Sequence, residues 1–364
     1  MKRSVRTLGM LTVIALWLVL SAMAWFGADK AESQAERRPL AQFPEISADS
    51  LLDGSFMEKF EDYALDQFPL RDDFRTLKSL FSYEVLGQLD NNGIYIADGY
   101  AAKLESSNTV SVNYALKKFD FIYKKYLQNT DCKIYMTLIP DKGYYLTESN
   151  GYPAIDYARL FTQVKEGMPW AKAVDITGSL DISDYYRTDT HWRQEKLIPT
   201  ANVLCNAMDI SSPGEMTATL LSQQFKGVYH GQAALPMGAE NIYVLESEWL
   251  SGCRVYNYET GKYGHIYDLE KLSGKDPYDV YLSGPQALLR IENPNANTDR
   301  ELVIFRDSFG SSLAPLLTRE YKTVTLVDLR YVSSQFLGQF LTFQNQDVLF
   351  AYSTTILNNS STLK

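Results

Sequence analysis

The stretch LVIFRDSFGSSLAPLL, residues 302–317, is the clearest indication of the fold class of this chain. The apolar run 302–305 has the composition of a buried parallel strand, and residues 311–317 have that of a helix. Ser308 lies between them, at the carboxyl end of the strand, where open α/β sheets bind ligands and where free N–H groups of a helix can stabilise an oxyanion. Ser308 is therefore a candidate nucleophile. The alternative is that Asp307 or Ser308 only caps the helix.

Further apolar runs of the same kind occur on both sides of this stretch. The predicted strands are residues 132–139, 173–176, 323–329 and 348–352. Helical patterns are predicted at 110–128, 195–208 and 334–343. This alternation predicts an α/β fold with a mostly parallel sheet flanked by helices.

Two regions depart from that alternation. Residues 211–298 are rich in Tyr, Gly and short alternating segments, and they predict a β-rich insertion or a strand-rich edge of the same domain. Within them, 278–282 and 287–291 are predicted to pair as a hairpin. Ahead of the sheet, residues 56–86 have apolar side chains at helical spacing, and the break at 68–71 predicts two helices.

The N-terminus carries an export signal. Residues 8–27 contain no charge and are long enough to span a bilayer, and Lys2, Arg3 and Arg6 before them predict a cytoplasmic N-terminus. The A-x-A pattern at 22–24 also fits a cleaved signal peptide, although the length favours a retained anchor. Either way, the body is exported. The predicted organisation is an anchor or signal peptide (1–28), a linker (29–54), a catalytic domain (55–355) and a C-terminal tail (356–364).

The amino-acid composition argues against several classes of function. The net charge is −9 and no basic face stands out, which argues against nucleic acid as a partner. Three cysteines form no CxxC pair, and three histidines form no HExxH motif, so we expect no metal and no cofactor. The 25 tyrosines suit stacking on sugars, although any one of them more often packs a strand.

A second reactive pattern is Asp189-Thr190-His191. In an extended segment Asp189 and His191 point to the same side, and a carboxylate beside an imidazole can set its tautomer and stabilise the imidazolium. A lone histidine is more often structural. The scarcity of histidines in this chain and the polar surroundings, which look exposed, favour a catalytic role. Serine triads occur in several chain orders, so the order Asp–His–Ser decides nothing by itself.

Together these motifs resemble a known family. DTHW (189–192) and RDSFG (306–310), with DQFPLRD (66–72), IPDK (139–142) and DVYLSGP (279–285), are similar to the DHHW-type and alginate O-acetyltransferase-like branch of the SGNH hydrolase superfamily. The likeness spans roughly residues 55–355. Thr190 replaces the first His of DHHW, and Arg306 replaces the Gly of the GDS motif, so the family's oxyanion-hole geometry is not carried over.

The resemblance implies an SGNH-like fold with Ser308 as nucleophile, His191 as general base and Asp189 as its orienting carboxylate. It implies acetyl transfer to a polysaccharide outside the cytoplasm, with a membrane-bound, acyl-exporting partner as the source of the acetyl group. Residues expected near the substrate are Lys142, Tyr144, Arg187, Trp192 and Arg306. For the first four, the alternative is that they are loop residues that only cap or solvate strand ends, and for Arg306 it is that the side chain orients Asp307. A polysaccharide acetylesterase with the same triad, or a non-catalytic glycan-binding scaffold, remains an alternative function.

Overall fold

The computed structural model describes residues 2–364, apart from the side chains of residues 2–5 and 148. The charges of Lys2 and Arg3, on which the predicted orientation partly depends, therefore lie outside the described part. The chain divides into two compact units. The first contains the residues up to Asn91 together with Gly231–Pro236, and the second contains Asn92–His230 and Met237–Lys364.

The first unit is mainly helical. Its elements are α1 Lys2–Phe26, β1 Glu32–Ser33, β2 Arg38–Pro39, α2 Ala48–Leu52, α3 Ser55–Asp66 and α4 Arg71–Leu80, and a π-helical turn Phe81–Val85 continues α4. Over the 21 residues Arg6–Phe26, α1 is long and apolar enough to cross a membrane. The predicted pair of helices on either side of residues 68–71 is present as α3 and α4.

The second unit contains the predicted α/β body. Its strands are β3 Ile94–Ala97, β4 Tyr100–Lys103, β5 Lys133–Ile139, β6 Lys172–Ala173, β7 Thr217–Phe225, β8 Glu240–Glu246, β9 Arg254–Asn257, β10 Lys262–Gly264, β11 Leu288–Glu292, β12 Glu301–Arg306, β13 Thr323–Val327 and β14 Asp347–Ser353. Its helices are α5 Thr109–Ile122, α6 Gly143–Asn150, α7 Tyr157–Gly167, α8 Ile198–Met208, α10 Glu248–Ser251, α11 Phe309–Leu317 and α12 Thr354–Asn358, while α9 Val228–Ala233 crosses the boundary between the units.

Eight strands form the central sheet, in the order β10-β9-β11-β13-β12-β14-β5-β6. The five strands from β13 to β6 are parallel, whereas β11, β9 and β10 continue the sheet antiparallel. The predicted mostly parallel α/β sheet is confirmed.

The core lies on both faces of this sheet because side chains alternate along each strand. Ile304 of β12 faces a cluster that includes α8 and α11, and Phe305 faces one that includes α5 and α7. All seven residues of β14 and all nine of α11 are buried. Burial on both faces explains why these strands are continuous apolar runs.

Several local predictions were wrong. Residues 278–282 do not pair with β11: Pro277–Val280 is a 3₁₀-helix, and β11 pairs with β9 and β13 instead. Leu282, Ser283 and Gly284 all have positive φ, which takes the chain out of strand geometry. Residues 211–298 combine both interpretations, since β7 and β8 form a separate pair and β9–β11 extend the main sheet.

Three other elements are shorter than predicted. The helix expected at 195–208 begins at Ile198, with Pro199 in its first turn, where a missing N–H costs nothing. The helix expected at 334–343 is only a 3₁₀-helix, Ser334–Gln339, with Gly338 in its last turn. The strand expected at 173–176 is reduced to β6.

Candidate active site

Ser308 lies directly beyond the carboxyl end of β12, which has β13 on one side and β14 on the other. The chain therefore leaves β12 at a point where the strand order reverses, the usual position of a binding crevice in such sheets. Ser308 makes no side-chain cap to α11. Asp307 holds the turn instead: one carboxylate oxygen accepts from Phe309 N at 3.0 Å and the other from Ser353 N at 2.7 Å. The Ser308 hydroxyl is thus available for other contacts.

That hydroxyl lies beside His191. Nε2 of His191 is 2.7 Å from Ser308 Oγ, and Nδ1 is 2.6 Å from Asp189 Oδ1. Asp189 is fully buried and His191 is 7% exposed, while Ser308 keeps partial exposure. A hydroxyl, an imidazole and a carboxylate thus form one hydrogen-bonded chain, which is the arrangement that activates a serine nucleophile.

The segment that carries Asp189 and His191 is not the extended strand that was predicted. Tyr185 and Trp192 form an isolated antiparallel bridge, and the residues between them make a closed loop. Asp189 Oδ1 accepts from His191 N at 3.0 Å as well as from the ring, so the carboxylate folds back on its own backbone. The polar surroundings are also buried rather than exposed. The two side chains meet because of this turn and not because of strand alternation.

Gly227 secures the other side of Asp189. Val228 N donates to Asp189 Oδ2 at 2.8 Å, so both carboxylate oxygens are engaged. A Cβ on Gly227 would lie 2.3 Å from Asp189 Cβ and 2.4 Å from its backbone N, closer than atoms can approach. Only glycine permits this contact.

Glu240, at the start of β8, holds the residues before Asp189. Its carboxylate accepts from Arg187 N and Thr188 N, both at 2.8 Å, and from the Thr188 hydroxyl at 2.6 Å. Lys142 holds the same loop from another side, because its Nζ donates to the carbonyls of Tyr186 at 2.9 Å and Arg187 at 3.2 Å. Loop position therefore depends on two side chains distant in sequence.

Lys142 itself is 2% exposed and lies 5.0 Å from the centroid of the Tyr229 ring. Burial lowers the pKa of Lys142 to about 7, and the nearby carboxylates, Asp189 first, oppose that shift. The predicted contact of Lys142 with substrate is wrong, because the ammonium group is enclosed behind the loop.

Trp192 and Arg306 need the same correction. Both are fully buried and offer no surface to a substrate. Trp192 donates its indole N–H to Ser312 Oγ on α11 at 2.8 Å. Arg306 donates to Ser311 Oγ at 3.0 Å and lies 3.8 Å from Asp328, and within residues 2–364 its Nε and Nη2 have no hydrogen-bond partner. Both residues support the turn at Ser308 from inside.

Arg187 and Tyr144 keep some exposure. The Arg187 side chain is 51% exposed, with Nε 3.7 Å from Glu240. Tyr144 is half-buried and packs its ring edge-on against Tyr157, at 5.2 Å between centroids. Their predicted substrate contacts stay predictions.

Three further residues that contact the triad or its loop, Tyr278, Gly227 and Glu240, are not among those that the sequence patterns indicated. Tyr278 stacks on His191, and it directly precedes the segment 279–285 that carries part of the family resemblance. Gly227 and Glu240 lie in no motif that sequence reasoning singled out. Across the described part of the chain, no group of three His, Cys, Asp or Glu side chains is placed to hold a metal ion.

Neither a protein-family model nor a curated protein matches this chain. Among solved structures it is similar to a DHHW family protein from Eubacterium siraeum, with 19% identity and a TM-score of 0.61 over 75% of this chain and 95% of that one. It is also similar to PatB1 from Bacillus cereus, with 17% identity and a TM-score of 0.55 over 72% and 96% of the two chains.

A structure of PatB1 with a sulfonyl adduct gives 16% identity, a TM-score of 0.53 and coverage of 72% and 97%. The resemblance inferred from DTHW and RDSFG is thereby confirmed in fold: the chain has the mostly parallel α/β fold of this DHHW family protein and of PatB1.

Proposed function

We propose that this chain is a serine-dependent O-acyltransferase that acts outside the cytoplasm on a surface or exported polysaccharide. The observation that carries the proposal is the 2.7 Å contact between His191 Nε2 and Ser308 Oγ, with Asp189 on the opposite ring nitrogen. The resemblance of the DTHW and RDSFG motifs to the alginate O-acetyltransferase-like branch supports acetyl as the group transferred and a sugar hydroxyl as its acceptor.

In the first half-reaction, Ser308 Oγ attacks the carbonyl carbon of the acyl donor while His191 Nε2 takes the hydroxyl proton. His191 then gives that proton to the leaving group as the bond to the donor breaks, and Ser308 carries the acyl ester. Asp189 stabilises the transient imidazolium through Nδ1. Within the described residues, the Ser308 backbone N–H has no acceptor, so it is a candidate donor to the oxyanion.

In the second half-reaction, a sugar hydroxyl gives its proton to His191 and attacks the acyl carbon. The ester bond to Ser308 breaks, the acyl group moves to the sugar, and Ser308 Oγ recovers the proton from His191. Water in place of the sugar would give the esterase alternative. The two activities differ only in which hydroxyl reaches the acyl-enzyme.

The N-terminal helix α1 fits a signal anchor or signal peptide by length and composition. We propose that α1 is retained and places the catalytic body at the outer face of the membrane. There, a membrane-bound, acyl-exporting partner would supply the acyl group, because the acyl donors of the cytoplasm are absent.

The test uses purified full-length chain in detergent. A sulfonyl fluoride should label the peptide that contains Ser308, and a chromogenic acetyl ester should be turned over, with its acetyl group transferred to an added oligosaccharide. Ser308→Ala should lose both signals, whereas the exposed control Ser251→Ala should keep both. Turnover with acetate released only to water would favour the esterase, and absence of labelling would favour a non-catalytic scaffold.

A further inference from the structure

Helix α4 has the reverse of the usual arrangement: its inward face is polar and its solvent-exposed face is apolar. Three of its polar side chains, Arg71, Arg75 and Ser79, point into the first unit: Arg75 donates to the carbonyl of Gly231 at 2.9 Å, and Ser79 donates to that of Ala233 at 2.6 Å. Ser79 is fully buried, and Arg71 forms an ion pair with Glu36. The face toward the unit is therefore polar and hydrogen-bonded.

The opposite face is apolar and uncovered. It carries one row of large side chains at intervals of three or four residues, which places them on one side of the helix. These are Leu70, Phe74, Leu77, Phe81 and Val85, called here the α4 stripe, with exposed fractions of 54%, 41%, 62%, 52% and 65%. The row extends about 22 Å along the helix axis. A soluble surface rarely leaves so continuous an apolar row in water.

The start of α4 lies beside the end of α1. One cleft is lined by Met23, Ala24 and Gly27 of α1 and by Phe68 and Leu70 at the start of α4. Gln67, which precedes Phe68, also connects the start of α4 to the segment after α1 through hydrogen bonds.

Gln67 accepts from Lys30 N at 2.9 Å and donates to the Lys30 carbonyl at 2.9 Å, four residues after the last residue of α1. Trp25 and Phe26, at the end of α1, are 74% and 89% exposed, as suits aromatic side chains at a membrane–water boundary.

We infer that the α4 stripe rests in the outer boundary of the lipid bilayer and gives the chain a second membrane contact beside α1. Insertion would be driven by apolar contact, because the exposed charges beside the stripe (Asp73, Lys78 and Glu84) are net negative and would not attract anionic lipid. The inference rests on α1 as a retained membrane span and not on the acyl chemistry.

The experiment is photocrosslinking with the full-length chain. p-Benzoylphenylalanine is placed at Leu77 or Phe81, at Leu16 of α1 as the membrane control, and at Phe336 as an exposed aromatic position that sets the background. The samples are phosphatidylcholine nanodiscs and native membranes, and mass spectrometry identifies the adducts. We expect lipid adducts at Leu77 and Phe81 in a yield similar to that at Leu16 and well above that at Phe336.

Four outcomes would overturn the inference. An adduct with another polypeptide in native membranes would make the stripe a docking site for a protein, and an adduct with a second copy would make it a self-association surface. Background yield at Leu77 and Phe81 alone would leave the stripe in water. Background yield at Leu16 as well would remove the membrane span. Sulfonyl labelling of Ser308 in the same samples tests the acyl chemistry separately.

Discussion

The ring of Tyr278 lies face to face with the imidazole of His191, with 3.9 Å between the ring centroids and 6° between the planes. The Tyr278 hydroxyl bonds to Ser312 Oγ at 2.7 Å, and Ser312 is on α11, one turn beyond Ser308. Burial raises the pKa of Tyr278 far above its ordinary range, so the hydroxyl stays protonated. One side chain therefore ties the orientation of the histidine to the helix that carries the serine.

Replacing Tyr278 separates the two contacts. Tyr278→Phe keeps the stacked ring and loses the hydrogen bond to Ser312, so we expect a fall in kcat of less than about 10-fold. Tyr278→Leu removes the aromatic ring that supports the imidazole, so kcat should fall by about 10²-fold. Ester turnover and thermal unfolding are measured for both variants. Equal kcat in Tyr278→Leu and the parent would show that the stack does not position His191.

The proposed triad predicts large losses. Ser308→Ala and His191→Ala should each lower kcat by about 10³-fold or more, and Asp189→Asn should cause a comparable or smaller loss, because the three side chains act as a unit. His265→Ala, which removes an exposed histidine, is the matched control and should leave turnover unchanged. Full activity in any one of the three triad variants, at an unchanged melting temperature, would refute the assignment.

Gly227→Ala tests the close contact with Asp189. A methyl group at this position would lie 2.3 Å from Asp189 Cβ, so the carboxylate must move, and displacement of a catalytic group by about 1 Å can cost about 10²-fold in rate. Gly178→Ala is the matched control, since a Cβ there meets no atom within 4 Å. Steady-state ester hydrolysis compares them, and similar rates in the two variants would contradict the predicted role of Gly227.

The buried Lys142 predicts a pH dependence of stability. Its folded pKa of about 7 lies below the ordinary value of 10.5, so between these values the unfolded chain binds more protons and stability rises with pH. From pH 7 to pH 9 this residue should add about 2 kcal/mol to the free energy of unfolding.

Denaturant titrations at the two pH values, on the parent and on Lys142→Met, measure this contribution. The rise with pH should be smaller in Lys142→Met by that amount. An equal rise in both proteins would show that the ammonium group is not destabilised by burial.

Arg306 predicts an unusual response to the loss of a charge. It is fully buried, two of its N–H-bearing nitrogens have no partner in the described part of the chain, and its neighbour Asp328 is held by Arg330 at 2.6 and 2.9 Å. Burial lowers the pKa of Arg306, in spite of the Asp328 charge. Arg306→Met should therefore cost less than about 1 kcal/mol of stability, or increase it.

Chemical denaturation of Arg306→Met is compared with that of Arg330→Met, which removes the close partner of Asp328 and should cost about 3 kcal/mol or more. The reverse ranking of the two variants would show that Arg306 is the cation on which Asp328 depends.

Features that depend on local residue patterns could be predicted from the amino-acid sequence. Runs such as 302–305 and 348–352 are apolar throughout because both faces of a central parallel strand are buried, so they predict β12 and β14 directly. The motifs around His191 and Ser308 indicated both residues as catalytic candidates, because each motif is a short contiguous stretch that can be recognised in the sequence. Irregular segments such as 278–284 were mispredicted, since their backbone follows tertiary contacts and not periodicity.

The surroundings of those motifs depend on tertiary contacts and could not be predicted from the sequence. Gly227, Glu240 and Tyr278 reach Asp189, the loop before it and His191 from positions that lie 36 to 87 residues beyond His191 in the chain, and no local pattern records such contacts. The fold likewise encloses Lys142, Trp192 and Arg306, which were expected near the substrate. The burial of a charged or aromatic side chain depends on which distant elements pack against it, and chain folding sets that arrangement.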